Sequence, residues 1–223
     1  MGSHEAGGMK REDITAIVFC GGAGRRLGGV TKPLIDWRGQ PLVGHVIDRV
    51  AEQVGAILLS TGADPELYAR FRRRADEDAA PRPGLRSSVA PSVPCRAVPD
   101  ETPGEGPLGG FACCLEAVTT PWIFTCPGDS PHLATDLVAR LTPDAERSGV
   151  AVSHDGRRRQ NLFLLIRRDR ADALAEFYRA GGRAIHRWLD DQDIASTRLP
   201  DLADAFFNVN THEDLAALRA QDD

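Results

Sequence analysis

Lysine is nearly absent from this sequence. Of its 27 basic residues only Lys10 and Lys32 are lysines. Genomic base composition accounts for the ratio, but it does not choose where the survivors stand. Lys10 belongs to a ragged start, whereas Lys32 follows a glycine-rich run. A surplus of positive charge is also missing. With 32 acidic residues the net charge is -5, which argues against a general nucleic-acid binder, since phosphate backbones are held by basic surfaces. No apolar run approaches the roughly 18 residues that span a bilayer, so no membrane partner is expected. The five cysteines, Cys20, Cys95, Cys113, Cys114 and Cys126, contain no Cys-x-x-Cys pair, and their number is odd. A zinc site and a disulfide framework are therefore set aside in favour of reduced, buried thiols in a cytoplasmic protein. His45, His132, His154, His186 and His212 are scattered and form no metal set; packing or surface roles are expected for each. Residues 1–12 read as a disordered or tag-like start without a signal-peptide core.

What is present is ordinary globular material. Hydrophobic residues make up 42% and charged residues 26% of 223, enough to bury a core without staples. Residues 14–20 form a short, continuous apolar run, the pattern of a strand buried on both faces. Pro41 opens a helical stripe of Leu42, Val43, Val46, Ile47, Val50 and Val54. Residues 56–61 predict a second buried strand, and Asp64 caps a helix to about residue 74. Residues 78–94 show no period and read as a surface insertion. Further strands are expected at 95–99, 122–126, 150–153, 162–166, 194–199 and 206–209. Further helices are expected at 107–118, 134–146, 170–178, 183–189 and 214–219. The alternation predicts an α/β three-layer sandwich, with a mostly parallel, mixed central sheet covered by helices on both faces. One domain over 13–221 is expected, with lobes at about 13–130 and 131–221. Ligands of such sheets bind beyond the carboxyl ends of the strands.

Four constellations fall at those ends. The run from Gly21 to Pro33 holds Gly21, Gly22, Gly24, Gly28 and Gly29 with Arg25, Arg26 and Lys32. Glycine backbone can wrap phosphate oxygens, and the cations add charge-assisted donors. The spacing matches neither the dinucleotide fingerprint nor the P-loop, so it favours a triphosphate site of another kind over a merely flexible loop. Asp129 follows a strand in Pro127-Gly128-Asp129-Ser130-Pro131. Alone it reads as a turn or cap aspartate; beside the glycine run it can hold Mg²⁺ next to phosphate. Asp100 begins an acidic loop ending in Gly106, Gly109 and Gly110. It could accept hydrogen bonds from a nucleotide or help hold the metal, or the segment could be an acidic loop before a packed helix. Asn208 and Asn210 alternate around Val209, so they share a face and could read a flat polar ring. Thr211 and Asp214 resemble a capping box. Arg72 to Arg74 and Arg157 to Arg159 are short basic runs; the first reads as a solvated helix face, and the second, in a turn beside Asp155, as solvated or able to meet an anionic substrate.

Taken in order, these motifs resemble the molybdenum cofactor guanylyltransferases, the MobA-like branch of the nucleotidyltransferases. The family's Leu-Ala-Gly-Gly stands here as Phe19-Cys20-Gly21-Gly22, and its Arg-Met-Gly-Gly-x-Asp-Lys as Arg26-Leu27-Gly28-Gly29-Val30-Thr31-Lys32. Its Gly-Pro-Leu-Ala-Gly appears as Gly106 to Gly110 and its Pro-Cys-Asp-Thr-Pro as Pro127 to Pro131. Its Asn-Val-Asn-Thr-Pro-Glu-Asp/Glu-Leu appears as Asn208 to Leu215, and His154-Asp155-Gly156 also looks like a family feature. The resemblance implies transfer of GMP from Mg-GTP (Mn²⁺ as an alternative metal) to the terminal phosphate of molybdopterin, with release of pyrophosphate. It implies Arg26, Lys32 and Asp129 as catalytic groups, with Asp129 on the metal. It implies nucleotide contacts from Phe19, Cys20, Gly21, Gly22, Gly29, Lys32, Ser60, Asp100, Gly106, Gly110 and Asp129. Asp155, Asn208 and Asn210 would face the pterin. Transient contact with molybdoenzymes or cofactor-insertion proteins is implied as well. Cys20 for alanine, Ser60 for a family asparagine, Thr31 for an acid and His212 for a proline are departures. Cys20 and Ser60 bear on base preference, leaving a cytidylyltransferase or another small-phosphate nucleotidyltransferase as the alternative. A non-catalytic nucleotide or cofactor carrier is the alternative of another class.

Overall fold

The computed structural model describes residues 8–21, 30–74, 92–101, 104–192 and 194–220. Ile14–Phe19 forms β1, six residues buried on both faces. Asp36–Trp37 (β2) and Gln40–Pro41 (β3) make a small antiparallel hairpin. Helix α1 (Leu42–Ala51) follows, then β4 (Ala56–Ser60) and β5 (Cys95–Val98). Helix α2 (Pro107–Leu115) leads to β6 (Trp122–Pro127), and α3 (Leu137–Ser148) to β7 (Val150–His154). The long β8 (Arg159–Arg167) runs directly into α4 (Arg168–Arg179). Helix α5 (Ile185–Asp190), β9 (Ala195–Arg198) and α6 (His212–Ala220) complete the order.

Seven strands form one sheet in the order β5-β4-β1-β6-β8-β7-β9. β5, β4, β1 and β6 are parallel, β8 is antiparallel to both β6 and β7, and β9 is parallel to β7. The expected mixed, mostly parallel sheet is therefore present, and it stays open. Two reversals at β8 return β7 and β9 to the direction of β1, so six strands end on one edge.

Alternate residues of β1 feed two cores. Ile14, Ala16 and Val18 face α1 and α3, whereas Ile17 and Phe19 face α2, α4 and α5. Burying both faces explains why the strands read as unbroken apolar runs. A third, smaller core of Trp37, Leu42, Val209 and Leu218 joins the hairpin and α1 to α6. The start of the chain is tied down from Met9, whose N–H donates to Glu146, and Arg11 donates to the carbonyls of Val54 and Ala51.

Two expected elements differ. The helix expected from Asp64 to residue 74 is a 3₁₀ helix over Pro65–Phe71, with Tyr68 and Phe71 buried. A spacing of three puts those two rings on one face of a 3₁₀ helix. The strand expected at 206–209 is absent. Pro200–Phe206 is a 3₁₀ helix closed by Phe207 N–H on the Asp204 carbonyl at 3.2 Å, and Val209 N–H then donates to the Asp129 carbonyl at 3.0 Å instead of to a strand.

Candidate active site

The chain order reverses between β1 and β6, the position at which open α/β sheets bind ligands. Here the carboxyl ends of the two strands are laced together. Gly128 N–H donates to the Phe19 carbonyl at 2.8 Å, and Cys20 N–H donates to the Ser60 carbonyl of β4 at 2.8 Å. A methyl group at Gly128 would stand 3.0 Å from Cys20 Sγ, 3.1 Å from the Phe19 carbonyl and 3.4 Å from Pro33 Cβ. Glycine is thus what lets the turn carrying Asp129 lie flat on β1.

Lys32 opens a 3₁₀ turn, Lys32–Leu34, whose Pro33 is buried against that same contact. Its Nζ donates to Asn210 Oδ1 at 2.7 Å and stands 3.9 Å from Asp129 Oδ2. That second distance is too long for a direct hydrogen bond, so the ammonium and the carboxylate flank one small space. The Lys32 side chain is 22% exposed and that of Asp129 16%. Burial pushes the Asp129 carboxyl up to about 6, against the opposing pull of Lys32. A carboxylate stripped of water in this way needs a cation near it.

Asn208 and Asn210 act first as struts. Ser130 Oγ donates to Asn208 Oδ1, and Asn210 accepts from Lys32. Asp214 Oδ2 accepts from the N–H groups of Asn210 and Thr211, and Asp214 N–H donates back to Thr211 Oγ1. The capping box read from the sequence is therefore formed, and it orients Asn210. Ser130 and Asp214 carry out this positioning without having been singled out for it. A Ser or Asp beside a motif aspartate or asparagine was the available signal.

A second cluster lies one strand over. A methyl group at Gly110 would overlap Ser60 Oγ and come 3.9 Å from Asp100 Oδ2. So β4, β5 and the first turns of α2 bring Ser60, Asp100 and Gly110 together. Asp100 N–H donates to the Gly62 carbonyl, and Gly21 packs against Gly62, which has φ +65°. Gly62 was missed, although it directly follows the second strand run. Gly106 is the residue before α2, with φ +87° and open space around it.

Not every expected residue joins these clusters. Cys20 is 1% exposed; its carbonyl accepts from Tyr68 OH and its thiol faces Gly128. It lies beneath the site, and Phe19 likewise points its ring into the α2-side core. Asp155 shares the carboxyl edge but sits beyond β8. Its Oδ1 accepts from the N–H groups of Arg157 and Arg158, and its Oδ2 from Gln160 Nε2. Gly22, Arg26 and Gly29 lie outside the described residues. His45 and His132 pack on Trp37, consistent with the packing roles expected of them.

A profile described as the MobA-like NTP transferase domain matches residues 16–195. The chain belongs to this family. It is a nucleotidyltransferase, and its relatives narrow the resemblance. A molybdenum cofactor guanylyltransferase of Cupriavidus taiwanensis is 34% identical over 96% of this chain and 100% of that protein. The crystal structure of a Mycobacterium tuberculosis Rv0371c homologue from Mycobacterium sp. strain JC1 superposes with a TM-score of 0.71 at 20% identity, covering 95% and 98% of the two chains. Molybdopterin-guanine dinucleotide biosynthesis protein A from Archaeoglobus fulgidus gives 0.68 at 18% identity, over 93% and 97%. The two structural likenesses establish the fold. Among the described residues no helix is long and apolar enough to cross a membrane.

Proposed function

We propose that this protein transfers GMP from GTP to the terminal phosphate of molybdopterin, releasing pyrophosphate. The observation that carries the proposal is the convergence of Lys32, Asp129 and Asn210 at the reversal between β1 and β6, beside the Ser60, Asp100 and Gly110 cluster. The names and near-complete coverage of the curated relatives support the same reading.

The donor set suits Mg²⁺, with Mn²⁺ as a substitute. Among the described residues no group of three or more His, Cys, Asp or Glu could hold an ion. Mg²⁺ takes one or two carboxylates and completes its shell with phosphates and water, and Asp129 supplies a desolvated carboxylate. Bound there, the ion would neutralise charge on the α- and leaving phosphates. A terminal phosphate oxygen of the pterin attacks the α-phosphorus of GTP, a new P–O bond forms, and the bond to pyrophosphate breaks. Such a step needs positioning and charge neutralisation more than covalent help from the protein. Lys32, held by Asn210, places a fixed ammonium beside the reacting phosphates. Arg26 and the Gly21, Gly22 and Gly29 backbone complete that cradle in this proposal. Asp100 and Ser60 offer acceptors to the N1–H and amino group of guanine, and the absent side chain of Gly110 makes room for the Ser60 hydroxyl. Asn208, Asn210 and Asp155 face the pterin. The lobe to about residue 130 thus binds nucleotide and the rest binds pterin, in a cytoplasmic enzyme that hands its product to molybdoenzymes.

The test is pyrophosphate release from purified protein with molybdopterin and either GTP or CTP. Preference for GTP, abolished by Asp129→Ala in a protein that still melts cooperatively, is the expected result. Preference for CTP would move the assignment to the cytidylyl reaction. GTP binding without pyrophosphate release would make the protein a carrier.

A further inference from the structure

The opposite edge of the sheet holds a second concentration of charge that the proposed reaction does not use. A cavity of about 250 Å³ opens where β1, β4 and β5 begin. Thr15, Ala56 and Leu58 form its floor, and Ala117 and Thr119, just past α2, form one wall. Arg72, Arg73, Arg74 and Arg96 also line it, and among the described residues lining it there is no carboxylate.

The placement of two of these arginines follows from backbone geometry. Arg73 and Cys95 form an antiparallel bridge, each N–H donating to the other's carbonyl at 2.8 and 3.0 Å. In that register Arg72 stands directly opposite Arg96, with both side chains on the face away from Arg73 and Cys95. That is the α2 face, where the charge of Arg96 reaches the Cys114 thiol. Like charges directly opposite one another across strands destabilise the pair. Among the described residues neither the Arg72 nor the Arg96 side chain has a hydrogen-bond or ion-pair partner. Two guanidiniums without a partner among the described residues thus belong to opposite positions on one face of the cavity lining, in a chain whose net charge is -5.

We propose that this cavity is a binding site for a small phosphate-type polyanion clamped between Arg72 and Arg96. Guanidinium forks match phosphate oxygens bidentately. The volume lies below the roughly 300–1,000 Å³ of pockets for drug-sized ligands, so it suits phosphate, pyrophosphate or a short phosphate ester rather than a whole nucleotide. The site is separate from the one around Lys32. Thr15 to Phe19 spans about 13 Å of strand at ~3.3 Å per residue, and the two sites lie at opposite ends of it.

Calorimetric titration of the full chain with sodium pyrophosphate, without divalent metal and at low salt, tests this. The same titration in Lys32→Ala separates the two ends of the sheet. The expected result is one equivalent bound in Lys32→Ala. That equivalent should weaken at least about tenfold when Arg72→Glu and Arg96→Glu are added. Both arginines are exposed, and an unchanged melting curve will show that the fold survives. Pyrophosphate binding that disappears in Lys32→Ala yet persists in the Arg72→Glu/Arg96→Glu protein would overturn the proposal. So would binding that emerges only after Asp76→Asn, Glu77→Gln and Asp78→Asn. In that case the acidic run two residues beyond Arg74 is the partner of the arginines.

Discussion

Cys20 and Gly128 compete for one volume. In the family pattern the small residue stands at position 20 and the cysteine at 128; here the two sizes are exchanged. With a Gly128 methyl only 3.0 Å from Cys20 Sγ, the exchange has to be made at both places together. Gly128→Cys alone should cost about 1–3 kcal/mol by overpacking and displace Asp129. Cys20→Ala in the same protein should restore both melting temperature and turnover. A double variant no better than the single one would mean that Phe19 O, not the thiol, is the obstacle. Lys32 is constrained as tightly, since it bonds Asn210 at 2.7 Å while 22% exposed. Lys32→Arg inserts a larger planar group and should lower kcat by on the order of 10–100-fold, although arginine is this chain's usual cation. Wild-type turnover would reduce the surviving lysine to coincidence. Asp129 carries a pH signature. Its carboxyl is pushed up to about 6 in the fold from 3.8, so ionisation favours the unfolded chain. The cost is nil below pH 4, grows through pH 4–6 and is full above 6, at about 3 kcal/mol from 1.36 kcal/mol per unit. Without metal, Asp129→Asn should therefore melt several degrees higher at pH 7.5 and no higher near pH 3.5.

Elements were legible in proportion to how much of their pattern burial imposed. β1, β4 and β6 stand out because both faces are covered, and α1 because its stripe is regular. The β2–β3 hairpin was invisible, since two-residue strands have no period to read. The segment before α6 misled because Val209 is fully buried between two asparagines, which imitates strand alternation. Its polar groups are spent on Asp129, Ser130 and Lys32 instead of on a ladder. The same bonds make α6 part of the site. Asp214→Ala removes the acceptor for two N–H groups at the start of α6, and loss of such a cap costs roughly 1 kcal/mol. Because one of those N–H groups belongs to Asn210, which holds Lys32, the variant should also lower kcat and raise the KM for both substrates. Kinetic constants unchanged beside a lower melting temperature would assign Asp214 to stability alone.

At the scale of the molecule, the position of the candidate site follows from topology: the strand order reverses between β1 and β6, and the glycine-bearing ends of both strands meet there. Which side chains reach into that space was less readable. Cys20 and Phe19 fall in the right motif but point into the cores. The cores themselves account for the thiols. Cys20, Cys95 and Cys126 lie in the core under α1 and α3, and Cys114 lies in the core under α2. Burial pushes Cys95 up to about 12, Cys114 and Cys126 higher still, and Cys20 well above the usual thiol value. Thiolate is the reactive form, so these four should be inert while both cores are intact. Cys113 is the one cysteine that is partly exposed, and burial and nearby acids raise its thiol as well. A thiol-reactive chromophore at pH 8 should therefore modify the native protein slowly and only once. All five should react in denaturant, and Cys113→Ser should leave none reactive in the native state. Two or more rapidly reacting thiols in the native wild type would mean that one of the two cores opens, and that the sheet is less completely covered than its strand pattern requires.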